Sequence, residues 1–428
     1  MGDTVLVVGG GGREHALAWA LAKSPQVDEV LVAPGNAGTA VEPGCRNLSV
    51  KASDREGLVA AAKEHAVRLV VVGPEDPLVD GLVDACEAAG IPAFGPSAAA
   101  AQLEGSKAHC KAFLREHGIP TGASATFTDA ESALAYLETL DAVPVVKASG
   151  LAAGKGVIVA ETFEEAAAAI REILIDGRFG DAGAEVLLEE RLFGPELSVL
   201  AFCDGTNFSV MPAAQDHKRL LDGDLGPNTG GMGAFHPSPI ADDALLEQVG
   251  REVLAPTLAA LEAQGRPYKG VLYAGMMLTV DGPKVIEYNC RFGDPETQVV
   301  LPLLSSDLLD VFEACVSGSL ADNQPSWTDS SAVTVVLASA GYPTTSASPQ
   351  PISGLDDAAA SNTIVFHAGT SVGGGEILAT GGRVLAVTAV RPALAEAAEA
   401  AHVGVDAISF DGAQRRTDIA RATAEVRP

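Results

Sequence analysis

Apolar runs alternate with helical stretches over the first hundred residues of the chain. TVLVVGG, EVLVAPG, LVVVGP and IPAFGP are short apolar runs that end in glycine or proline. Such an alternation predicts a doubly wound parallel sheet, in which ligands bind at the carboxyl ends of the strands. The polar segments GGGGREH, APGNAGT and VGPEDPLVDG fall at those ends. We therefore predict an α/β substrate-binding domain over residues 1–102.

The hydrophobic pattern changes twice along the rest of the chain. Strands and helices alternate in a short unit at about 122–192, and a longer α+β portion follows it. The Ser/Asp-rich stretch QPSWTDSS (324–331) is typical of a linker. We predict a central domain over residues 103–328, in which 122–192 form a small subdomain, and a C-terminal α+β domain over residues 329–428.

A glycine-rich loop lies between two apolar runs in VVKASGLAAGKGVIVA (145–160). A P-loop reads GxxxxGK followed by Ser or Thr, and it opens a helix. Here one residue too few separates the glycines, Gly156 stands at the hydroxyl position, and VIVA is typical of a second strand. We predict a β-hairpin whose loop closes over a nucleotide phosphate, with Lys147 and Lys155 holding polyphosphate oxygens. An isolated lysine such as Lys147 is more often a surface residue, so that alternative stays open.

The N-terminal glycine tract is not a dinucleotide-binding fingerprint. GxGxxG would require glycine where Glu14 or His15 stands. Four glycines before Arg13 still expose backbone donors beside a cation at the start of a predicted helix, which suits a phosphate monoester. The alternative is that the glycines only permit a tight turn.

Polar residues are dense in QDHKRLLDGDLGPNTGGMGAF (215–235). We predict a long functional loop, because structureless segments of this length in compact domains are usually functional or disordered. Asp216, His217, Lys218 and Asn228 are its candidates for substrate contacts. His217 is expected to be a hydrogen-bonding partner rather than a metal ligand, since no second histidine lies at ligand spacing.

The segment KVIEYNCRFGDPETQ (284–298) offers oxygen ligands on a predicted strand. Glu287 and Asn289 are two residues apart and therefore point to the same face. A carboxylate and an amide oxygen suit Mg²⁺, and Arg291 could reach a transferring phosphoryl group. Cys290 points the other way and is expected in the core. An isolated E-x-N would more often be an ordinary sheet surface.

Composition narrows the class of protein. The chain has 428 residues and a formal net charge of −28, a surface that repels nucleic acid and anionic membranes. No apolar run approaches the length of a membrane span, and MGDTVLVVGG has no basic region typical of a signal peptide. The six cysteines lie scattered without a CxxC pair. We therefore expect reduced thiols and a cytoplasmic location, without nucleic-acid or membrane partners.

Taken together, these motifs resemble the phosphoribosylamine–glycine ligases, also called glycinamide ribonucleotide synthetases, of the ATP-grasp superfamily. The matching strings are GGGGREH, APGNAGTA, VGPEDPL, QLEGSK, KASGLAAGKGVIVA, QDHKR, GPNTGGMGAF, EYNCRFGDPETQ, FHAGT and GGRVLAVTA. The resemblance runs from residue 5 to about 420. It implies an ATP-grasp module with a hinged lid, and ligation of glycine to 5-phosphoribosylamine with ATP and Mg²⁺ or Mn²⁺. Glycyl phosphate would be the intermediate, and the chain would be a monomer.

The same resemblance implies roles for individual residues. ATP would be bound by Lys107, Lys147, Gly154, Lys155, Gly156, Glu189, Glu190, Leu192 and Glu196. The metal would be bound by Glu287 and Asn289. Arg291 would stabilise the transferring phosphoryl group, while Asp294 and Asp216 would place glycine. The phosphoribosylamine pocket would comprise Gly11, Gly12, Arg13, Glu14, Asn36 and Glu75, completed by His367 and Thr370.

Three features depart from the pattern that the resemblance implies. Ser149 stands where aspartate is common in that family, Leu225 stands where threonine is usual, and GVLYAGMML lacks the additional acidic metal ligand of many ATP-grasp enzymes outside the family. A third ligand would then come from elsewhere or be water. The alternatives are an ATP-grasp ligase with another amine acceptor, a nicotinamide-dependent oxidoreductase and a non-catalytic nucleotide-binding protein. QDHKR and GPNTGGMG argue against the first, the failed GxGxxG against the second, and the retained metal and phosphate ligands against the third.

Overall fold

The fold begins with a parallel sheet of five strands in the order β3-β2-β1-β4-β5. A computed structural model describes residues 3–152, 155–345 and 348–421 of the chain. The first elements are β1 (Asp3–Gly9), α1 (Gly12–Leu21), β2 (Val27–Pro34), β3 (Cys45–Asn47), α2 (Arg55–Glu64), β4 (Leu69–Val72), α3 (Glu75–Val79), α4 (Leu82–Ala88), β5 (Ala93–Phe94) and α5 (Ala98–Gly105). The central strand is buried on both faces, which explains its unbroken apolar run. The predicted parallel sheet is confirmed.

A small antiparallel sheet follows, in the order β6-β9-β7-β8. This part of the chain contains α6 (Lys107–Glu116), β6 (Ser124–Phe127), α7 (Ala130–Leu137), β7 (Val145–Ala148), β8 (Val157–Val159), α8 (Phe163–Leu174) and β9 (Val186–Glu189). The sheet and helices α7 and α8 share a separate apolar core. Because β7 and β8 pair antiparallel, the segment that carries the glycine-rich loop is a hairpin, as its pattern predicts.

The central sheet has the order β11-β10-β16-β17 and carries the E-x-N motif on its last strand. The elements here are β10 (Glu196–Gly205), β11 (Phe208–Val210), β12 (Gln215–Asp216), β13 (Arg219–Leu221), β14 (Leu225–Asn228), β15 (Gly233–His236), α9 (Asp243–Val249), α10 (Ala255–Ala263), β16 (Tyr268–Thr279), β17 (Gly282–Asn289), α11 (Thr297–Val300) and α12 (Leu308–Ser317). Register places Tyr273 opposite Asn289 and Gly275 opposite Glu287.

The last part of the chain forms a mixed α and β layer. It comprises β18 (Ser331–Ala338), β19 (Gln350–Pro351), α13 (Leu355–Ala360), β20 (Ile364–His367), β21 (Thr370–Gly373), β22 (Glu376–Ala379), β23 (Arg383–Arg391) and α14 (Leu394–Ala407). Its main sheet has the order β12-β15-β18-β23-β20, and a smaller one the order β19-β22-β21. Strands β12 and β15 therefore join this sheet although they precede it by about a hundred residues.

The long loop predicted over 215–235 is wrong. That segment folds into β12, the two-stranded hairpin β13–β14 and β15. Gly223 and Gly226 have φ of 68° and 82°, which lets the chain turn between the two hairpin strands. Strands of two to four residues rich in polar residues and glycine carry little β signal of their own. The long-range pairing of this segment joins β15 to β18.

Two global features bear on the class of protein. All six cysteines lie among the described residues and are free thiols. Within the described ranges, the helices are too short or too polar to cross a membrane.

Candidate functional site

The end of β17 brings a carboxylate, an amide and a guanidinium together. Asn289 Nδ2 lies 3.4 Å from Glu287 Oε1, and Arg291 Nη2 donates to Asn289 Oδ1 at 3.0 Å. Burial would raise the pKa of Glu287, but Lys147 and Lys107 outweigh it and hold the pKa below its usual value. An ionised carboxylate beside an amide oxygen is a donor set that Mg²⁺ accepts. Cys290 is buried on the opposite face, as predicted.

Arg291 links this strand end to the N-terminal sheet region. Its Nε donates to Glu75 Oε2 at 3.0 Å, and its Nη2 lies 3.0 Å from Glu104 Oε1. Burial would raise the pKa of Glu75, but Arg291 and Arg13 lower it to about 2. The carboxylate therefore stays charged beside the guanidinium at neutral pH.

Glu104, which was not predicted as a site residue, forms an ion pair with Arg291. It lies on α5, and its Oε2 accepts a hydrogen bond from Cys290 N at 2.6 Å. Burial raises the pKa of Glu104 to about 7, although Arg291 opposes that shift. The sequence signal for this contact was that Glu104 is the single acid in the apolar helix AAAAQLEG. A buried acid on such a helix requires a partner.

We expect Glu104→Gln to change how stability depends on pH. The unfolded carboxyl loses its proton near pH 4.5 and the folded one holds its proton up to about pH 7, so raising the pH from about 5 to about 7.5 destabilises the wild type by about 2 kcal/mol. Glutamine has no such proton. The stability advantage of wild type over Glu104→Gln should therefore shrink by that amount as pH rises, as measured by urea denaturation at both pH values. Parallel pH profiles for the two proteins would contradict this expectation.

Three lysines and one glutamate form the cationic part of the site. Glu189 Oε2 lies 2.6 Å from Lys147 Nζ, while Lys111 Nζ donates to Glu189 Oε1. Lys107 Nζ donates to Gly150 O at 3.2 Å, at the start of the glycine-rich loop. Lys111 was not predicted, although it follows Lys107 by one helical turn and so shares its face of α6. The Glu189 side chain pairs with Lys111 and Lys147, a role that the motifs did not predict.

The remaining ATP candidates surround that cluster. Glu190 Oε2 accepts from Ala123 N at 3.0 Å and the residue is exposed; Leu192 is half-buried, and Glu196 is exposed at the start of β10. Lys155 is exposed and Gly156 buried at the base of the loop. The remaining candidate, Gly154, lies outside the described residues. These positions leave Glu190, Glu196 and Lys155 open to a ligand.

Ser149 has a clear structural task. Its hydroxyl accepts from Ala108 N at 3.2 Å and lies 3.2 Å from Ser106 Oγ, so it helps to cap the first turn of α6. The serine therefore provides a neutral acceptor for the start of the helix that carries Lys107.

The glycine tract meets the segment that follows Arg291. Gly11 N donates to Glu14 Oε2 at 2.6 Å, and Arg13 Nη1 donates to Phe292 O at 3.1 Å. A Cβ atom on Gly12 would lie 2.6 Å from Gln298 Nε2, so the tract packs closely against α11. The motif at the end of β1 and the GDPETQ motif thus lie side by side.

Asp294 is fixed by partners from two parts of the chain. Its Oδ2 lies 3.0 Å from Arg383 Nη2, and its Oδ1 accepts from Gln298 Nε2 at 2.7 Å. Burial would raise the pKa of Asp294, but Arg383 and Arg13 lower it. Arg383, on β23, was not predicted as a site residue. A single arginine in a strand pattern gives no signal of such a contact.

Asn36, His367 and Thr370 are buried, and they connect the glycine tract to the C-terminal sheet. Asn36 Nδ2 donates to Gly10 O at 3.0 Å and to His367 O at 2.7 Å, while its Oδ1 accepts from Gly38 N and Thr39 N. His367 Nδ1 lies 3.2 Å from Thr370 Oγ1. Burial and His15 lower the pKa of His367 to about 3, so the imidazole is neutral. These residues join the glycine tract to the C-terminal sheet, and their contact with substrate stays a prediction.

Asp216 lies on β12 and forms an ion pair with Lys218. Asn228 is exposed at the end of β14. Nearby, Glu296 Oε1 accepts from Tyr273 OH at 2.8 Å and from Ser198 Oγ at 3.2 Å. The half-buried His217 has its Nδ1 3.7 Å from Asp224 Oδ1 and its ring centroid 5.8 Å from that of Phe235.

Family models match successive parts of the chain. "Phosphoribosylglycinamide synthetase, N domain" matches residues 3–104, the "ATP-grasp (A) domain" of the same synthetase matches 105–297, and its "C domain" matches 332–422. The chain belongs to the phosphoribosylglycinamide synthetase family. The resemblance inferred from the motifs is thereby confirmed.

Individual members of this family are similar over most of the chain. The phosphoribosylamine–glycine ligase of Allochromatium vinosum is 52% identical over 416 residues, which are 97% of either protein. The trifunctional purine biosynthetic protein adenosine-3 of Gallus gallus is 53% identical over 98% of this chain, which spans 42% of that protein's length. The crystal structure of the phosphoribosylamine–glycine ligase of Thermotoga maritima has a TM-score of 0.86 and 33% identity, covering 97% of this chain and 100% of that one.

Proposed function

We propose that the chain ligates glycine to 5-phosphoribosylamine at the expense of ATP, giving glycinamide ribonucleotide, ADP and phosphate in de novo purine biosynthesis. One observation carries the proposal: Arg291 contacts Asn289 on the metal-binding strand and Glu75 beside the N-terminal glycine tract at the same time. A nucleotide site and an acceptor site therefore share one guanidinium. Membership of the phosphoribosylglycinamide synthetase family supports the same reaction.

The reaction requires two transfers. An oxygen of the glycine carboxylate attacks the γ-phosphorus of ATP, and the bond to ADP breaks to give glycyl phosphate. The amine nitrogen of phosphoribosylamine then attacks the carbonyl carbon, phosphate leaves, and the nitrogen loses a proton. Activation comes first because a carboxylate is a poor acyl donor until its oxygen becomes part of a phosphate leaving group. Water must be excluded meanwhile, and closure of the glycine-rich hairpin over the site would exclude it.

Each cation of the site has a separate role in binding phosphate or stabilising its charge. Lys107 and Lys147 bind the ATP phosphates, with Lys155 above them in the loop. Arg291 stabilises charge on the transferring phosphoryl group, because a fixed guanidinium costs no reorganisation during the reaction. Mg²⁺ or Mn²⁺, held by Glu287 and Asn289, neutralises phosphate charge when bound. Glu189 balances Lys147 in the structure described and keeps its side chain in place.

The adenine and the ribose of ATP bind beside β9. Backbone groups of residues 189–192 face the adenine edge, and Glu196 binds the ribose hydroxyls. Support comes from the placement of these residues at the end of β9 and the start of β10, next to the lysine cluster.

The acceptor binds between Arg291 and the glycine tract of the N-terminal sheet. Gly12 and Arg13 at the start of α1 bind its phosphate, and Gly11 N joins them only when the Glu14 carboxylate that it contacts moves away. Asp294 and Asp216 orient glycine through its ammonium group. Beyond Glu287 and Asn289, the ligands of a bound metal would be phosphate oxygens or water.

The domain division into residues 1–102, 103–328 and 329–428 belongs to this proposal, with 122–192 as the lid. Support comes from the separate apolar core of the lid sheet. The monomeric state and the cytoplasmic location stay predictions.

We expect ADP release only when ATP, Mg²⁺, glycine and freshly made 5-phosphoribosylamine are all present. The measurement is a coupled ADP assay in which each component is omitted in turn, with mass spectrometry of the product. A product with the mass of glycinamide ribonucleotide supports the ligase. ADP release that is indifferent to phosphoribosylamine would instead indicate an ATP-grasp ligase with another amine acceptor.

A further inference from the structure

A second charged cluster lies where the C-terminal segment meets the hairpin β13–β14. Arg416 is only 1% exposed. Its Nε and Nη2 donate to the two carboxylate oxygens of Asp418, each at 2.7 Å. Its Nη1 donates to Asp224 Oδ1 at 2.6 Å and to Arg219 O at 3.2 Å. The guanidinium thus ties residues 416–418 to both ends of the hairpin turn.

Neighbouring residues reinforce that contact. Thr417 N and Oγ1 donate to the two carboxylate oxygens of Asp222 at 2.8 and 2.5 Å. Gly223 N donates to Asp418 Oδ2 at 2.8 Å. A buried guanidinium is costly unless its donors are paired, and here hairpin groups supply part of that pairing. We call residues 416–418 and their hairpin partners the C-terminal clamp.

Substrate-binding candidates lie at both ends of the hairpin in the sequence. It begins immediately after Lys218, the partner of Asp216, and β14 ends at Asn228. At its base, Thr229 N donates to Lys218 O at 2.8 Å. Its position therefore controls where these side chains lie.

The ATP-binding candidates belong to other elements. Lys107 lies on α6, Lys147 on β7 and Glu189 on β9, none of which is part of the hairpin. A displaced hairpin should consequently disturb the glycine and amine side of the site before the nucleotide side.

We propose that Arg416 and Asp418 are positioning residues: by clamping the hairpin β13–β14 they set the affinity for glycine and its amine acceptor without touching either. This inference rests on the proposed function for the identity of the two substrates. The clamp itself rests only on the contacts of residues 219–228 with 416–418.

The test compares Arg416→Lys and Asp222→Asn with a matched control, Arg415→Gln. Lysine keeps the charge but cannot form the two-pronged contact with Asp418, and Asp222→Asn alters the clamp from the exposed hairpin side. Arg415 is the adjacent arginine and pairs with Asp406 instead. We expect KM for glycine or for phosphoribosylamine to rise about tenfold in both clamp variants while KM for ATP changes less than about twofold.

Hydrogen exchange gives a second readout that is independent of turnover. Amides of residues 219–228 should exchange faster in the clamp variants, while those of β1–β5 keep the wild-type rate. Arg415→Gln should match the wild type in both measurements. An equal rise in KM for all substrates, or hairpin exchange at the wild-type rate, overturns the proposal. If wild type itself shows no turnover with glycine and phosphoribosylamine, the proposed function fails, whereas the exchange result still decides whether the clamp exists.

Discussion

Replacing Arg291 by lysine should lower kcat by about 10²- to 10³-fold, the loss typical of removing one preorganised donor to transition-state charge. The guanidinium contacts Glu75, Glu104 and Asn289 together, each at 3.0 Å. An ammonium group cannot reach three partners that a planar fork can span. The phosphate lysines are untouched, so KM for ATP should change by less than about threefold.

The matched control for this variant is Arg46→Lys. Arg46 is an exposed arginine paired with Glu29 on the N-terminal sheet, with 2.7 Å from Nε to Oε1. Exposed pairs of this kind contribute little, so kcat should stay at the wild-type value. Steady-state ADP release measures both variants. A kcat for Arg291→Lys close to wild type would remove Arg291 from the proposed phosphoryl-transfer step.

The second large effect is on stability. Glu189→Gln should destabilise the lid region by about 3–5 kcal/mol, because breaking a buried ionic cluster from one side leaves uncompensated charge. The Glu189 side chain is 3% exposed, and Lys111 and Lys147 are 4% and 5% exposed. Glutamine preserves the shape but leaves two buried ammonium groups close together. Hydrogen exchange of β7 and β9 measures the local free energy of opening.

Two further variants make this result specific. Glu190→Gln changes the adjacent, exposed carboxylate, and its stability should stay within about 0.5 kcal/mol of wild type. The double variant Lys111→Met with Glu189→Gln removes one of the two stranded charges and should recover part of the loss. If Glu189→Gln opens no more readily than Glu190→Gln, the ionic cluster does not stabilise the lid.

Local patterns predicted much of the fold and some of the site. The unbroken apolar run of β1 indicates a buried parallel strand, and the glycines between β7 and β8 indicate a hairpin, because both signals act over a few residues. The spacing of Glu287 and Asn289 places them on one face by the same logic. The loop prediction for 215–235 was wrong, because its strands are short and polar and β15 is held in its sheet by the distant β18.

The parallel N-terminal sheet, the hairpin and the shared face of Glu287 and Asn289 could be predicted from the sequence, because their signals lie within one or two adjacent elements. The pairing of the buried charges depends instead on how distant elements pack. Glu104 reaches Cys290 across 186 positions, and Arg416 reaches Asp224 across 192. Packing of separate elements sets such pairings, and a buried charge is stabilised by whichever partner that packing brings within hydrogen-bonding distance.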